Sequence, residues 1–212
     1  QLLKPCQSLF KLSKMKQPDL ENFVGIHNRK YCDGGQCIRL YKTFMKKKDP
    51  EAANIVMGHN EEDLLGLGTI FSLLAYKKLY DGEYHPKQCV ILEQELKIVI
   101  ELSAAAPVNV SCGNSDFYLS VNGYEARMLV HLKEGKLRQY YRNYKDYEFI
   151  PGEDTAMPKS ITRYMDKSLK IATTPQTCYT WFNCDEDFLN NEKKQMQYLT
   201  HTLPFFLDNL NK

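Results

Sequence analysis

The chain has one tryptophan in 212 residues and no apolar run of membrane-spanning length. A membrane helix needs roughly 20 consecutive apolar residues. The stretch Ala104-Ala105-Ala106-Pro107-Val108 is far shorter, so no membrane partner is expected. No signal-peptide pattern is visible, and the chain opens on Gln1 rather than Met, which suggests a trimmed start. Internal repeats and low-complexity tracts are also lacking. Cysteine is not scarce, but its count of seven is odd. The spacings Cys32-x4-Cys37 and Cys178-x5-Cys184 suit neither a disulfide framework nor structural zinc, and adding His27 gives only a loose ligand set. Free, mostly buried thiols in a reducing cytoplasm are expected.

Hydrophobic residues make up 43% and charged residues 25%, the balance of a folded chain rather than a disordered one. The length suits one ordinary domain plus a smaller one, or two small ones. Net charge is +2 but uneven: residues 1–50 hold eleven Lys/Arg against four Asp/Glu, and residues 51–103 hold four against nine. A basic segment beside an acidic one suits an enzyme that holds a phosphate backbone near metal-binding carboxylates, and suits an ordinary mixed surface almost as well.

Periodicity divides the chain. Residues 1–24 read as helical pieces broken at Pro5 and Pro18, and residues 36–47 as a helix ending in Lys46-Lys47-Lys48. Asp49-Pro50-Glu51 restarts a short helix that Gly58 bends or ends, and a further helix runs from about Asn60 to Tyr80. From about Lys87 the pattern turns to strands: 89–102, then segments around Val108 and Phe117, a hairpin turn at Asn122-Gly123, and a return through Ala126, Met128 and Val130. Glu134-Gly135 marks another turn before a strand from Leu137 to Tyr144. A helix over 156–170, a strand over 177–182 and a closing helix over 192–210 follow. The fold class is α+β, with a helical part at 1–84 and a domain with an antiparallel sheet and helices at 85–212.

The richest stretch is His59-Asn60-Glu61-Glu62-Asp63-Leu64-Leu65-Gly66-Leu67. On a helix, His59 lies one turn from Asp63 on one face, at the head of a buried stripe through Leu67, Ile70 and Leu74. A bound Mg²⁺ or Mn²⁺ would compensate an Asp there, and the His could orient or deprotonate an attacking water. The plainer alternative is that Asn60 and Asp63 form a helix cap and His59 has no chemistry.

His59, Asn60, Asp63 and Leu67 resemble the His-Asn-x-x-Asp helix that ends the nuclease domain of YprB-type ribonuclease H-like proteins, bacterial relatives of the DEDD exonucleases. Lys16-Gln17, Leu20-Glu21, Gly25-Ile26, Arg29, Gly34-Gly35 and Ile38 to Tyr41 follow the same family's order, and Tyr144 to Tyr147 with Pro151 to Asp154 resemble an extra C-terminal region of some relatives. The resemblance implies a ribonuclease H-like fold, of which residues 1–84 are the helical C-terminal half. It also implies His59 and Asp63 as catalytic residues, Asp63 as a ligand of Mg²⁺ or Mn²⁺, and a cytoplasmic location. Such domains open with an Asp-x-Glu strand that this sequence lacks, so the expected partner is a missing upstream segment carrying that strand. The expected function is the C-terminal fragment of a divalent-metal-dependent exonuclease cutting phosphodiester bonds of DNA or RNA, inactive alone. The alternative is a catalytically inactive nucleic-acid- or protein-binding module of the same fold.

Candidate nucleic-acid contacts are Lys42, Lys46 and Lys47 near the motif, and Lys136, Arg138, Arg142 and Tyr144 where basic and aromatic residues interleave. A strand there would put Tyr140, Arg142 and Tyr144 on one face. An aromatic core face with a charged outer face accounts for the same pattern.

Overall fold

The computed structural model describes residues 1–27, 29–31 and 34–210. Cys32, part of the cysteine spacing noted above, lies outside the described residues. The helices of the first part are α1 (Gln7–Phe10), α2 (Gln17–Phe23), α3 (Gly34–Lys47), α4 (Pro50–Ile70) and α5 (Leu74–Asp81). The second part holds β1 (Tyr84–Leu92), β2 (Glu95–Gly113), β3 (Phe117–His131), β4 (Lys136–Tyr140), β5 (Tyr147–Ile150), β6 (Thr155–Pro158), α6 (Lys159–Thr162), β7 (Ile171–Ala172), β8 (Tyr179–Asn183), α7 (Glu186–Leu189) and α8 (Glu192–Asp208). A largely helical N-terminal region thus precedes a region of antiparallel sheets and helices.

Asp49 caps α4 as its sequence suggests, accepting from the amides of Glu51 and Ala52. Gly58 does not end this helix, which continues to Ile70. Its role is packing: a Cβ at Gly58 would fall 2.2 Å from Cζ of Tyr31. Of the expected stripe, Ile70 is buried and Leu74 packs partly against the core, but Leu67 is exposed. The buried positions of α4 are Ala52, Gly58, Gly66 and Ile70, whereas Met57, Leu64, Leu65 and Leu67 are exposed. Polar side chains and a tyrosine approach the inner face closely, so small residues line it and the leucines point away.

The strand region departs from pattern reading where glycine and turn residues have two uses. Residues 89–102 form parts of two strands, not one, joined by a turn in which Glu93 has φ +56°. Asn122-Gly123 lies inside β3 rather than at a hairpin turn: Gly123 (φ +54°) sits opposite Ala106, where the β2–β3 register shifts. A positive-φ glycine serves a bulge as readily as a tight turn. The hairpin instead closes at Asn114, whose side-chain oxygen accepts from the amides of Asp116 and Phe117 at 2.9 and 3.2 Å. Extra residues on the β2 side free the backbone of Val108 from the ladder. The buried Tyr76 hydroxyl takes over both of its groups, accepting from the amide at 3.1 Å and donating to the carbonyl.

Glu134-Gly135 does turn the chain, both with positive φ, but β4 stops at Tyr140, so Tyr144 lies in a 3₁₀ turn and not on a strand. The expected helix over 156–170 is replaced by β6, the four-residue α6 and a 3₁₀ turn at Lys167–Leu169. Pairing of Thr155–Pro158 with β5 captures its first residues, and Asp166 caps the later turn through the Ser168 amide.

Strand order is β1-β2-β3 in one sheet, β4-β8 in a second and β6-β5-β7 in a third. The closing helix α8 fills the space between the first two. Its Phe206 ring stacks on Phe117 of β3 at 4.0 Å, and its Phe205 ring stacks on Tyr140 of β4 at 3.7 Å. Each such buried ring or leucine contributes about 1.5–3 kcal/mol through lost water contact. One hydrophobic core runs from Leu3 and Leu9 through Tyr76, Ile98 and Met128 to Leu207.

The thiols of Cys6, Cys112, Cys178 and Cys184 are buried, as expected, and free. Burial pushes Cys6 up to about 12 and the other three to about 11. A thiolate-selective alkylating agent near neutral pH should therefore leave these four unlabelled in the folded chain and label them in denaturant, read by peptide mass spectrometry. Native labelling as fast as in denaturant would contradict a closed core.

Candidate functional site

The described geometry brings His59 and Asp63 together on one face of α4, with His59 Nε2 3.5 Å from Asp63 Oδ2. It also adds partners that spacing did not single out as site residues. Arg29 reaches from the loop after α2 to Asp63 Oδ1 at 2.7 Å. The same guanidinium donates to both oxygens of Glu21 at 2.7 and 2.8 Å. Gln17 completes the set, donating to Glu21 Oε1 at 2.9 Å and to the main-chain oxygen of Asp63 at 2.8 Å. Glu62, one residue before Asp63, accepts from the amides of Lys30 and Tyr31 at 2.9 and 3.3 Å, which anchors the loop that carries Arg29.

Glu21 is buried, its side chain only 3% exposed. A carboxylate so placed is costly unless paired and hydrogen-bonded. Hydrogen bonding from Arg29 holds its carboxyl below the ordinary range despite the opposing effect of burial, and Arg29 is held still more firmly protonated, chiefly by its bond to Glu21. Gly66 makes the pairing sterically feasible: a Cβ there would fall 1.9 Å from Glu21 Oε1. The signal for this network was in the sequence, as Gln17, Glu21 and Arg29 lie in the segment with the family resemblance. Periodicity could not show that three separate elements converge.

As a divalent-metal site the arrangement is incomplete. Asp63 Oδ1 is taken by a cation already, and Oδ2 faces His59. Among the described residues, no three His, Cys, Asp or Glu side chains converge as a cage, while Mg²⁺ requires several well-placed oxygens. The residues present do not fit that ion. His59 Nδ1 is buried without a hydrogen-bond partner among the described residues.

The sequence-based nucleic-acid contacts fall in separate places. Lys42, Lys46 and Lys47 are exposed on α3. Lys136 is exposed at the start of β4. Arg138 is half-buried, its guanidinium carbon 4.6 Å from the ring centres of both Tyr179 and Trp181. Arg142 bonds the Tyr80 hydroxyl at 2.6 Å and Asp208 at 3.3 Å, bracing α5 against α8. Arg142 and Tyr144 do not share a strand face, because β4 has already ended.

Comparison with known families places one relationship: residues 1–75 match the model of the RNase_H superfamily. No curated protein and no solved structure matches the chain. The relationship is distant, and it covers the helices that carry the Glu21–Arg29–Asp63 network. No described helix is long and apolar enough to cross a membrane.

Two outcomes follow. Gly68→Ala on α4, where a Cβ meets open space, should stabilise the chain by about 0.5–1 kcal/mol through helix propensity. Gly66→Ala should destabilise it, since the Cβ displaces a pinned carboxylate; a gain equal to that of Gly68→Ala in thermal unfolding would contradict the network. The second concerns acid. The folded Glu21 carboxyl ionises below its unfolded value, so the unfolded chain takes up the proton first as pH falls. The contribution of the pair is complete above the ordinary carboxylate range and is lost as pH drops through the lowered value. Glu21→Gln should cost about 1–3 kcal/mol at neutral pH and flatten the acid limb of the stability profile. An unchanged acid limb in denaturant melts at stepped pH would show that Glu21 does not set it.

Proposed function

We propose that this chain is a nucleic-acid-binding module related to the RNase_H superfamily, and that it does not by itself cleave phosphodiester bonds. The observation that carries the reading is the occupation of the motif acid. Asp63, the carboxylate that a metal-dependent nuclease would present to its ion, is paired with Arg29, and Arg29 is fixed in turn by the buried Glu21. The superfamily match supports nucleic acid as the ligand class. Exposed Lys42, Lys46 and Lys47 on α3, with Lys136, supply cations suited to phosphate contact.

A second reading is favoured by the exposed Leu64 and Leu65 and by the unpartnered Nδ1 of His59. In it the chain is the C-terminal part of a YprB-type, Mg²⁺- or Mn²⁺-dependent exonuclease. A further segment bearing an Asp-x-Glu pair would cover the leucine face and add carboxylates to Asp63, with His59 as general base.

The test incubates the chain with end-labelled single-stranded DNA and RNA, with Mg²⁺ or Mn²⁺, and follows both retention and cleavage. The first reading expects salt-sensitive binding without turnover, unchanged by Asp63→Asn. Clear turnover abolished by Asp63→Asn would overturn it.

A further inference from the structure

The turns and short strands between β4 and β8 gather lysines that are far apart in sequence. Lys145 comes from the 3₁₀ turn after β4, Lys159 from α6, Lys167 from the 3₁₀ turn before β7, and Lys170 from the residue ahead of β7. All four line one cleft of about 530 Å³, with Tyr144 at its wall. Glu148 is the single carboxylate of that lining, and it is already engaged. It accepts from Lys170 Nζ at 2.9 Å and from the Thr162 hydroxyl, and these bonds hold its carboxyl below the ordinary range. Asp166, next to Lys167 in the chain, is turned to the amide and hydroxyl of Ser168 at 2.8 Å each.

Lys145, Lys159 and Lys167 are exposed and make no ion pair with any described residue. Three like charges facing one concavity repel each other, and among the described lining residues Glu148 is the one carboxylate to offset them, bonded to Lys170 and also acting on Lys159. A ligand carrying several negative charges along its length would offset the remainder. The wall residue Tyr144 is half-buried, with no stacking contact to another described ring, while Tyr147 beside it is stacked on Tyr141 at 5.1 Å. The Tyr144 carbonyl accepts from the Thr173 hydroxyl, which ties the backbone of this residue to another part of the cleft wall. Lysines with a spare aromatic face form the pattern that binds a phosphate backbone and stacks a base.

We propose that this cleft is where the chain holds the phosphodiester backbone of a single-stranded nucleic acid, with Lys145, Lys159 and Lys167 as phosphate contacts and Tyr144 as stacking platform. The inference rests on the nucleic-acid reading above and relocates its main contact from α3 to the second region. The cleft lies outside residues 1–75, so the superfamily match neither requires nor describes it.

The test uses the full chain, a cleft variant (Lys145→Gln, Lys159→Gln, Lys167→Gln) and an α3 variant (Lys42→Gln, Lys46→Gln, Lys47→Gln). Lys170 is kept because it pairs with Glu148. Binding of a fluorescent oligothymidylate is titrated against salt, and inorganic tripolyphosphate is titrated by calorimetry. The cleft variant should lose about tenfold or more in oligonucleotide affinity, and its salt slope should fall by about 2, since each contact on a single strand contributes about 0.7. Tyr144→Ala should weaken binding with no change of slope, and the α3 variant should change neither quantity comparably. Oligonucleotide binding lost in the α3 variant but intact in the cleft variant overturns the inference and leaves the nucleic-acid reading standing. A wild-type chain that ignores the oligonucleotide overturns both, and if it then binds tripolyphosphate through the cleft, the ligand is a free polyphosphate.

Discussion

The arrangement of the first seventy residues depends on one buried charge. Glu21 has lost nearly all its water, and a lone carboxylate in that position would take up a proton or force its helix outward. Arg29 prevents this by presenting two donors to the carboxylate in the fork geometry that suits a guanidinium. To do so the loop after α2 must return across α4, where Glu62 secures it through two amides. Helix α4 must in turn come close enough for Gly66 to touch the carboxylate. A single desolvated acid therefore ties α2, the loop and α4 together, beside the apolar contact that Leu20 and Ile70 make in the core.

The same constraint decides the chemistry open to the motif. Asp63 stands at the edge of the network and shares Arg29 with Glu21, so its negative charge is partly spent inside the protein. The Arg29 guanidinium lies 2.7 Å from Asp63 Oδ1. The small residues Ala52, Gly58 and Gly66 face inward because polar groups and the Tyr31 ring approach there, and this sends Met57, Leu64 and Leu65 outward. An apolar outer face and an occupied acid are two consequences of one packing solution.

The second region is organised differently, by aromatic packing on a bent hairpin. The extra residues of β2 bend its pairing with β3, and Tyr76 absorbs the backbone groups left over at Val108. The closing helix then seats Phe205 and Phe206 between two separate sheets. Arg138 and Arg142 are drawn into this scaffold, against Tyr179 and Trp181 in one case and Tyr80 and Asp208 in the other. The lysines past Tyr144 are left facing solvent across a cleft, and that is why the cation-rich surface lies beside the expected basic-aromatic strand rather than on it.

Local signals carried what depends on neighbours in sequence. The Asp49-Pro50 cap, the i to i+4 pairing of His59 with Asp63, the turn at Glu134-Gly135 and the change from helices to strands near residue 84 were all legible, because each follows from spacing of a few residues. Ambiguity arose where one residue type answers two geometries. Gly58 could break a helix or admit a ring, Gly123 could close a hairpin or form a bulge, and Thr155–Pro158 could begin a helix or add to a sheet. Only contacts with distant residues chose among these. The same holds for the sites: the sequence named His59 and Asp63, but the partners Glu21 and Arg29 and the convergence of Lys145, Lys159, Lys167 and Lys170 come from separate elements. Charge pairing and burial act through space, and their outcome was set only when the chain had folded.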